Sequence, residues 1–141
     1  MQLTNETKQA ILDEYNNWFE SQYGDKSLEE RQELGAFFTP PELSIKMIEK
    51  FDNLDGTILD PCCGAGGLLA RCIIAGADPN NIYGNEFDKD ILEVCKKRLV
   101  PMGVPEWHLH QGDRLEDYCY DFSEDYVYPR NVQISLWDNL F

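Results

Sequence analysis

Long apolar runs are missing from this chain. None approaches the ~20 residues that a membrane-spanning helix requires, and the polar first residues carry no signal-peptide core. No membrane association is expected. A disulfide framework is missing too: the five cysteines are odd in number and lack framework spacing, so reduced thiols in a cytoplasmic protein are expected. The adjacent pair Cys62-Cys63 has no second Cys or His pair at ligand spacing, and His108 and His110 read as residues alternating across a strand, so no metal site is expected. Positive charge is scarce. Lys and Arg number 12 against 26 Asp and Glu, a net charge of -14, and the basic stripe of a nucleic-acid binder is absent. Weak or absent affinity for duplex DNA follows. The acid-rich stretch from 112 to 125 holds six acids and one arginine; it reads first as a solvated loop and second as a surface imitating nucleic acid.

What is present suits one small globular unit: 141 residues, 43% hydrophobic, with no internal repeat and no flexible linker. Residues 4 to 23 read as a helix capped by Thr4 or Asn5, with Ile11, Tyr15, Trp18 and Phe19 as an apolar stripe for core packing. A short helix is expected to end at Gly35, and another to start under a Thr39 cap, its first turn holding Pro40, Pro41 and Glu42. Then "GTILD" reads as a buried strand, "GLLARCIIAG" as a helix, "NIYGNEFD" as a strand, "DILEVCKKRLV" as a helix with cations in its last turn, and "EWHLHQGD" as a third strand. Helix and strand alternate, which predicts an α/β fold with a mostly parallel sheet joined by right-handed crossovers.

The stretch "TILDPCCGAGGLLARCI", residues 57 to 73, carries the chemistry. A glycine loop after the first strand of such a sheet stands where ligands bind. The dinucleotide fingerprint is not met, and the lysine and hydroxyl of a phosphate-binding loop are absent. Asp60, directly before the loop, would repel a phosphate and attract a cation. Glu86 ends the second strand twenty-six residues later, where a carboxylate can accept both hydroxyls of a ribose. Phe87 can lie against a flat base, and Asp113, after the third strand, near that base's edge. An adenosine with a positively charged amino-acid tail meets all three positions, and S-adenosylmethionine is such a molecule.

"LDPCCGAGGLL" resembles the first motif of adenine-specific DNA methyltransferases, and "GAFFTPPEL" their upstream motif. "YGNEFDKDILEVCKKRL" and "HQGDRL" are similar to the second and third motifs. The order is that of the branch containing the modification subunits of type I restriction systems. The resemblance implies a Rossmann-like methyltransferase fold with S-adenosylmethionine as cofactor. It places Phe38, Thr39 and Pro40 at the methionine end, and Asp60 with the backbone from Cys62 through Gly64 to Gly66 around the amino-acid tail. It puts Glu86 on the ribose, Phe87 on the adenine and Asp113 on its amino group. Residues 1–34 are then a helical segment and 35–141 a partial methyltransferase-like domain.

The family's fourth motif, Asn or Asp, two prolines and an aromatic, is not intact. Its counterpart in "NVQISLWDNLF" is Asp138 to Phe141, with Asp138 and Phe141 at the catalytic positions. The strand in this stretch is expected beside the first, with the fold cut short after it and its outer edge left for another chain. A homodimer, or a subunit of a larger complex, is the expectation. Three readings follow: a methyltransferase or one part of a split enzyme; a phage-type protein that binds or depletes S-adenosylmethionine without methyl transfer; and an acidic anti-restriction decoy.

Overall fold

The computed structural model describes residues 1–35 and 37–112, and the backbone of 132–133. Helix α1 (Asn5–Tyr23) starts where the Thr4 hydroxyl accepts the Thr7 N–H at 3.1 Å. Of its expected apolar stripe only Ile11 reaches the core. Tyr15, Trp18, Phe19 and Tyr23 remain half-buried; the last three gather around Phe38, with the Trp18 and Phe38 rings perpendicular at 5.6 Å, and Tyr15 packs on Phe19. Tyr15 and Trp18 line a cavity rather than the underside of the sheet.

Helix α2 (Leu28–Gly35) is followed by α3 (Pro41–Ile48). The Thr39 cap is not made: Pro40 occupies the cap position, with no side-chain cap bond. A proline has no N–H to satisfy, so two of them at the start reduce the need for a capping oxygen. Ile45, Ile48 and Phe51 point inward as expected.

Strand β1 (Thr57–Asp60) leads through the glycine loop into α4 (Gly67–Ile74), then β2 (Ile82–Glu86), α5 (Lys89–Leu99) and β3 (Leu109–Gln111). Asp88 caps α5 by accepting the N–H groups of Asp90 and Ile91, and Lys96, Lys97 and Arg98 fill its last turn, where cations oppose the helix dipole. The third strand is shorter than the sequence suggested, because Glu106–His108 forms a 3-10 turn. His108 is buried there, stacked on Tyr83 at 3.9 Å, with Nδ1 2.9 Å from the Ile82 carbonyl.

Strand β4 (Val132–Gln133) pairs with β1, Thr57 opposite Val132 and Ile58 opposite Gln133. The sheet order is β3-β2-β1-β4, and each pairing is parallel. One core joins Ile58 and Ile82 of the sheet, Leu69 and Cys72 of α4, Cys95 and Leu99 of α5, Ile45 and Ile48 of α3, and Ile11 of α1. The mostly parallel α/β fold expected from the alternation is thus present.

Candidate functional site

Strand β1 has β2 on one side and β4 on the other: the strand order runs outward from β1 through β2 to β3 and then reverses to place β4 on the far side of β1. In a parallel sheet this reversal opens a crevice at the carboxyl ends of the strands. The loop from Pro61 to Gly66 stands there. Gly64 (φ 54) and Gly66 (φ 81) hold left-handed backbone. At Gly66 a Cβ would also stand 2.9 Å from the Cys95 sulfur, so this glycine lets the loop sit down on α5.

The loop is fastened to the strand ends by named bonds. Asp60 Oδ1 accepts the Cys62 N–H at 3.1 Å, and the Cys63 N–H donates to the Asn85 carbonyl at 2.9 Å. The Asn85 amide donates to the carbonyls of Pro61 and Gly112, tying the ends of β1 and β3 together across β2. Glu86 spans the same gap: its Oε1 accepts the Gly64 N–H at 3.1 Å and its Oε2 accepts the Asp88 N–H at 2.7 Å. A carboxylate has about four acceptor positions, so Glu86 keeps lone pairs for a ligand after both bonds.

Beside the loop lies a cavity of about 280 Å³, walled by Tyr15 and Trp18 of α1, by Phe37, Phe38 and Thr39, and by Asp60, Cys62, Gly64, Arg71 and Arg98. The structure therefore brings Phe38, Thr39, Asp60, Cys62 and Gly64 around one space. Gly66 and Glu86 stand behind the loop and do not line it. Pro40 is exposed outside it. Phe87 is 66% exposed, and its carbonyl accepts the Gln111 amide. Asp113, Asp138 and Phe141 lie outside the described residues, although Gly112 is held beside Glu86, its N–H on the Glu86 carbonyl.

Two arginines of this cavity were missed from the sequence. Arg71 is 1% exposed, in a helix that is otherwise apolar. Its Nη1 donates to the Thr39 carbonyl at 2.9 Å and to the Ser44 hydroxyl. Burial, helped by the charge of Arg98, lowers its pKa to about 10. Arg98 makes a bidentate pair with Glu14 of α1, its guanidinium carbon lying 4.0 Å from the centre of the Trp18 ring. An arginine among leucines and isoleucines in "GLLARCII" was the available signal. A charged residue on an apolar helix is seldom buried without purpose.

Cys63 and Cys72 are held as neutral thiols. The contact with Cys95, at 3.8 Å between sulfurs, and burial together hold the Cys63 thiol well above its ordinary range. Burial pushes Cys72 up to about 12.

The chain has relatives among known proteins. The chain is 34% identical over 119 residues to the Type II methyltransferase M.VspI of Vibrio sp. (strain 343), covering 75% of this chain and 29% of that protein. It is 31% identical over 94 residues to the Type I restriction enzyme MjaIX methylase subunit of Methanocaldococcus jannaschii, covering 62% and 16%. The type I restriction-modification system methyltransferase subunit from Streptococcus thermophilus shares the fold, with a TM-score of 0.50 at 23% identity over 63% of this chain and 21% of that one. The chain thus spans less than a third of the length of each of these relatives. No helix among the described residues is long and apolar enough to cross a membrane. The family model described as N-6 DNA Methylase matches residues 2–123, from the first helix through the glycine loop and the strand ends around it, and the chain belongs to that family.

Proposed function

We propose that this chain binds S-adenosylmethionine as the cofactor-holding part of a cytoplasmic DNA adenine methyltransferase. The observation that carries this reading is the Gly64–Glu86 bond. In a phosphate-binding loop the backbone N–H groups are left for the ligand. Here the Gly64 N–H is taken by a carboxylate and a second carboxylate, Asp60, lies at the loop's start. Such a site disfavours phosphate and suits a ribose and a cationic tail.

The residues fit the cofactor in kind. Asp60 faces the cavity with Phe38 and Thr39, where the amino-acid end would be held, and Glu86 keeps acceptor positions for ribose hydroxyls. Phe87 is exposed beside Glu86 for contact with the base, and Asp113 is the residue proposed for its amino group. When bound, the cofactor supplies an activated methyl group; the chain's own residues bind and orient it. Asp138 and Phe141 are proposed for the target-base side of the reaction. Because the relatives extend well beyond the matched part, methyl transfer is proposed to need further protein, in a larger complex or a second copy.

Calorimetric titration with S-adenosylmethionine and its demethylated product tests the reading. Micromolar binding is expected; a folded protein that binds neither at millimolar concentration overturns it. The net charge of -14 favours a second reading, a cofactor-binding or decoy protein without methyl transfer. Mass analysis of cofactor and DNA after incubation with partner subunits separates the two.

A further inference from the structure

Arg71 is a buried cation with no carboxylate in salt-bridge contact among the described residues. Its neighbour Arg98 is neutralised by Glu14, whereas Arg71 forms no ion pair among the described residues. The protein gives it only neutral acceptors, the Thr39 carbonyl and the Ser44 hydroxyl, both on Nη1. Nε is buried with no hydrogen-bond partner among the described residues. Nη2 donates no hydrogen bond to a described residue, and it stands 3.3 Å from where a Cβ on Gly67 would be, at the start of α4 beside the glycine loop. Arg98 Nη1 lies 3.5 Å from the same point.

A guanidinium held this deep is costly unless something compensates it. Water cannot do so fully at 1% exposure. The Tyr15 ring, 5.4 Å from the Arg71 guanidinium carbon, and the carboxylates of Glu14 and Glu42, neither bonded to it, offset part of this cost, while the nearby Arg98 guanidinium adds to it. Both arginines line the cavity that Asp60 also lines. The cavity therefore presents a fixed cation and a carboxylate to whatever enters, the complement of an α-amino-acid zwitterion. Its volume, about 280 Å³, lies just below the roughly 300–1,000 Å³ range of ligand pockets, and suits an amino-acid tail better than a whole nucleoside.

We infer that Arg71 is the carboxylate anchor of the site, its Nη2 donating to the α-carboxylate at the amino-acid end of the ligand. The inference rests on the reading that the ligand is S-adenosylmethionine and adds to it the group that recognises the tail. It explains why an arginine interrupts the apolar face of α4, and why Thr39 matters through its backbone: the Thr39 carbonyl holds Nη1 and so orients the other two nitrogens. The competing explanation is purely structural, a pin that ties α4 to Ser44 and Thr39.

The test compares two ligands, S-adenosylmethionine and its decarboxylated form, which keeps the sulfonium and the amine. Wild-type protein is expected to prefer the carboxylated ligand by roughly tenfold or more, as for a charge-assisted bond. In Arg71→Gln the affinity for S-adenosylmethionine falls by that factor, while the decarboxylated ligand binds within about twofold of wild type, so the preference vanishes. A structural pin predicts equal weakening of both ligands, and that result overturns the inference while leaving the cofactor reading intact. Equal affinity of wild-type protein for the two ligands overturns it as well. If thermal melts show that Arg71→Gln does not fold, Arg71→Lys replaces it: the preference should drop at least threefold, and an unchanged preference refutes the assignment. Binding of neither ligand to wild-type protein removes the cofactor reading and this inference together.

Discussion

Arg98 and Glu14, 84 residues apart in sequence, meet in a two-pronged ion pair, Nε to Oε1 and Nη2 to Oε2, each at 2.8 Å. The pair fastens α1 to the last turn of α5, and the same guanidinium reaches toward the Ala65 carbonyl of the glycine loop at 3.5 Å. Removing one partner strands a charge. Arg98 keeps only 3% of its side chain exposed, and Glu14 keeps 20%. Glu14→Ala is therefore expected to destabilise the fold by roughly 2–4 kcal/mol, around the lower end of the range for a broken buried pair because Glu14 is partly wet. Chemical denaturation measures it. A loss under 0.5 kcal/mol would show that water already compensates Arg98.

Glu86 joins the loop to the β2–α5 turn and is proposed to hold the ribose. Glu86→Ala should weaken S-adenosylmethionine binding by roughly 1.5–3 kcal/mol, the scale of hydrogen bonds to a charged group. Calorimetry reads the change, with a melt confirming the fold. Unchanged affinity refutes the ribose role.

The two loop glycines should respond differently to alanine. At Gly66 the left-handed backbone and the 2.9 Å approach to Cys95 act together. Gly66→Ala is expected to cost about 2–4 kcal/mol, from backbone strain plus overpacking. At Gly64 a Cβ meets nothing within 4 Å, so only the backbone objects, and the cost should be about 1–2 kcal/mol. Equal losses in parallel melts would contradict the packing explanation.

His108 gives a pH dependence with a defined sign. Burial lowers its pKa from the usual 6.5, opposed by its bond to the Ile82 carbonyl. The unfolded chain then binds the proton more readily than the folded one. His108 favours folding fully above pH 6.5, and this contribution is lost as pH falls through the lowered value. Stability measured from pH 7.5 to 5 should decline on the acid side, and His108→Phe should flatten that part of the curve. An unchanged slope in the variant would assign the effect to the carboxylates.

Duplex DNA should bind this chain weakly or not at all at physiological salt, given its net charge of -14. Gel shifts at micromolar protein test this. A complex that dissolves steeply with added salt would reveal a local basic surface.

Much of the fold was legible because its signals are local. Thr4 at the head of α1, Asp88 at the head of α5 and the glycine loop after "TILD" each announce an element boundary. The parallel order followed from alternation. What stayed hidden depends on partners distant in sequence. Nothing near Arg71 says that Thr39 and Ser44 will receive it, and nothing near Arg98 says that Glu14 and Trp18 will. The aromatic stripe of α1 was misread for the same reason: helical spacing shows that rings share a face, not whether that face meets a sheet or a cavity. The 3-10 turn at Glu106–His108 escaped because an alternating pattern looks the same in a strand and just ahead of one.

The wall that α1 provides also decides how far this protein can be trimmed. A polypeptide opened at residue 35, where the first recognisable motif begins, would keep Asp60, the glycine loop and Glu86. It would shed Tyr15 and Trp18 from the cavity, Ile11 from the core and Glu14 from Arg98. Arg98 would then stand near Arg71 beside Gly67 without its own carboxylate partner. The folded unit is thus larger than its motifs and reaches back to Leu3, whose side chain is already part of the core.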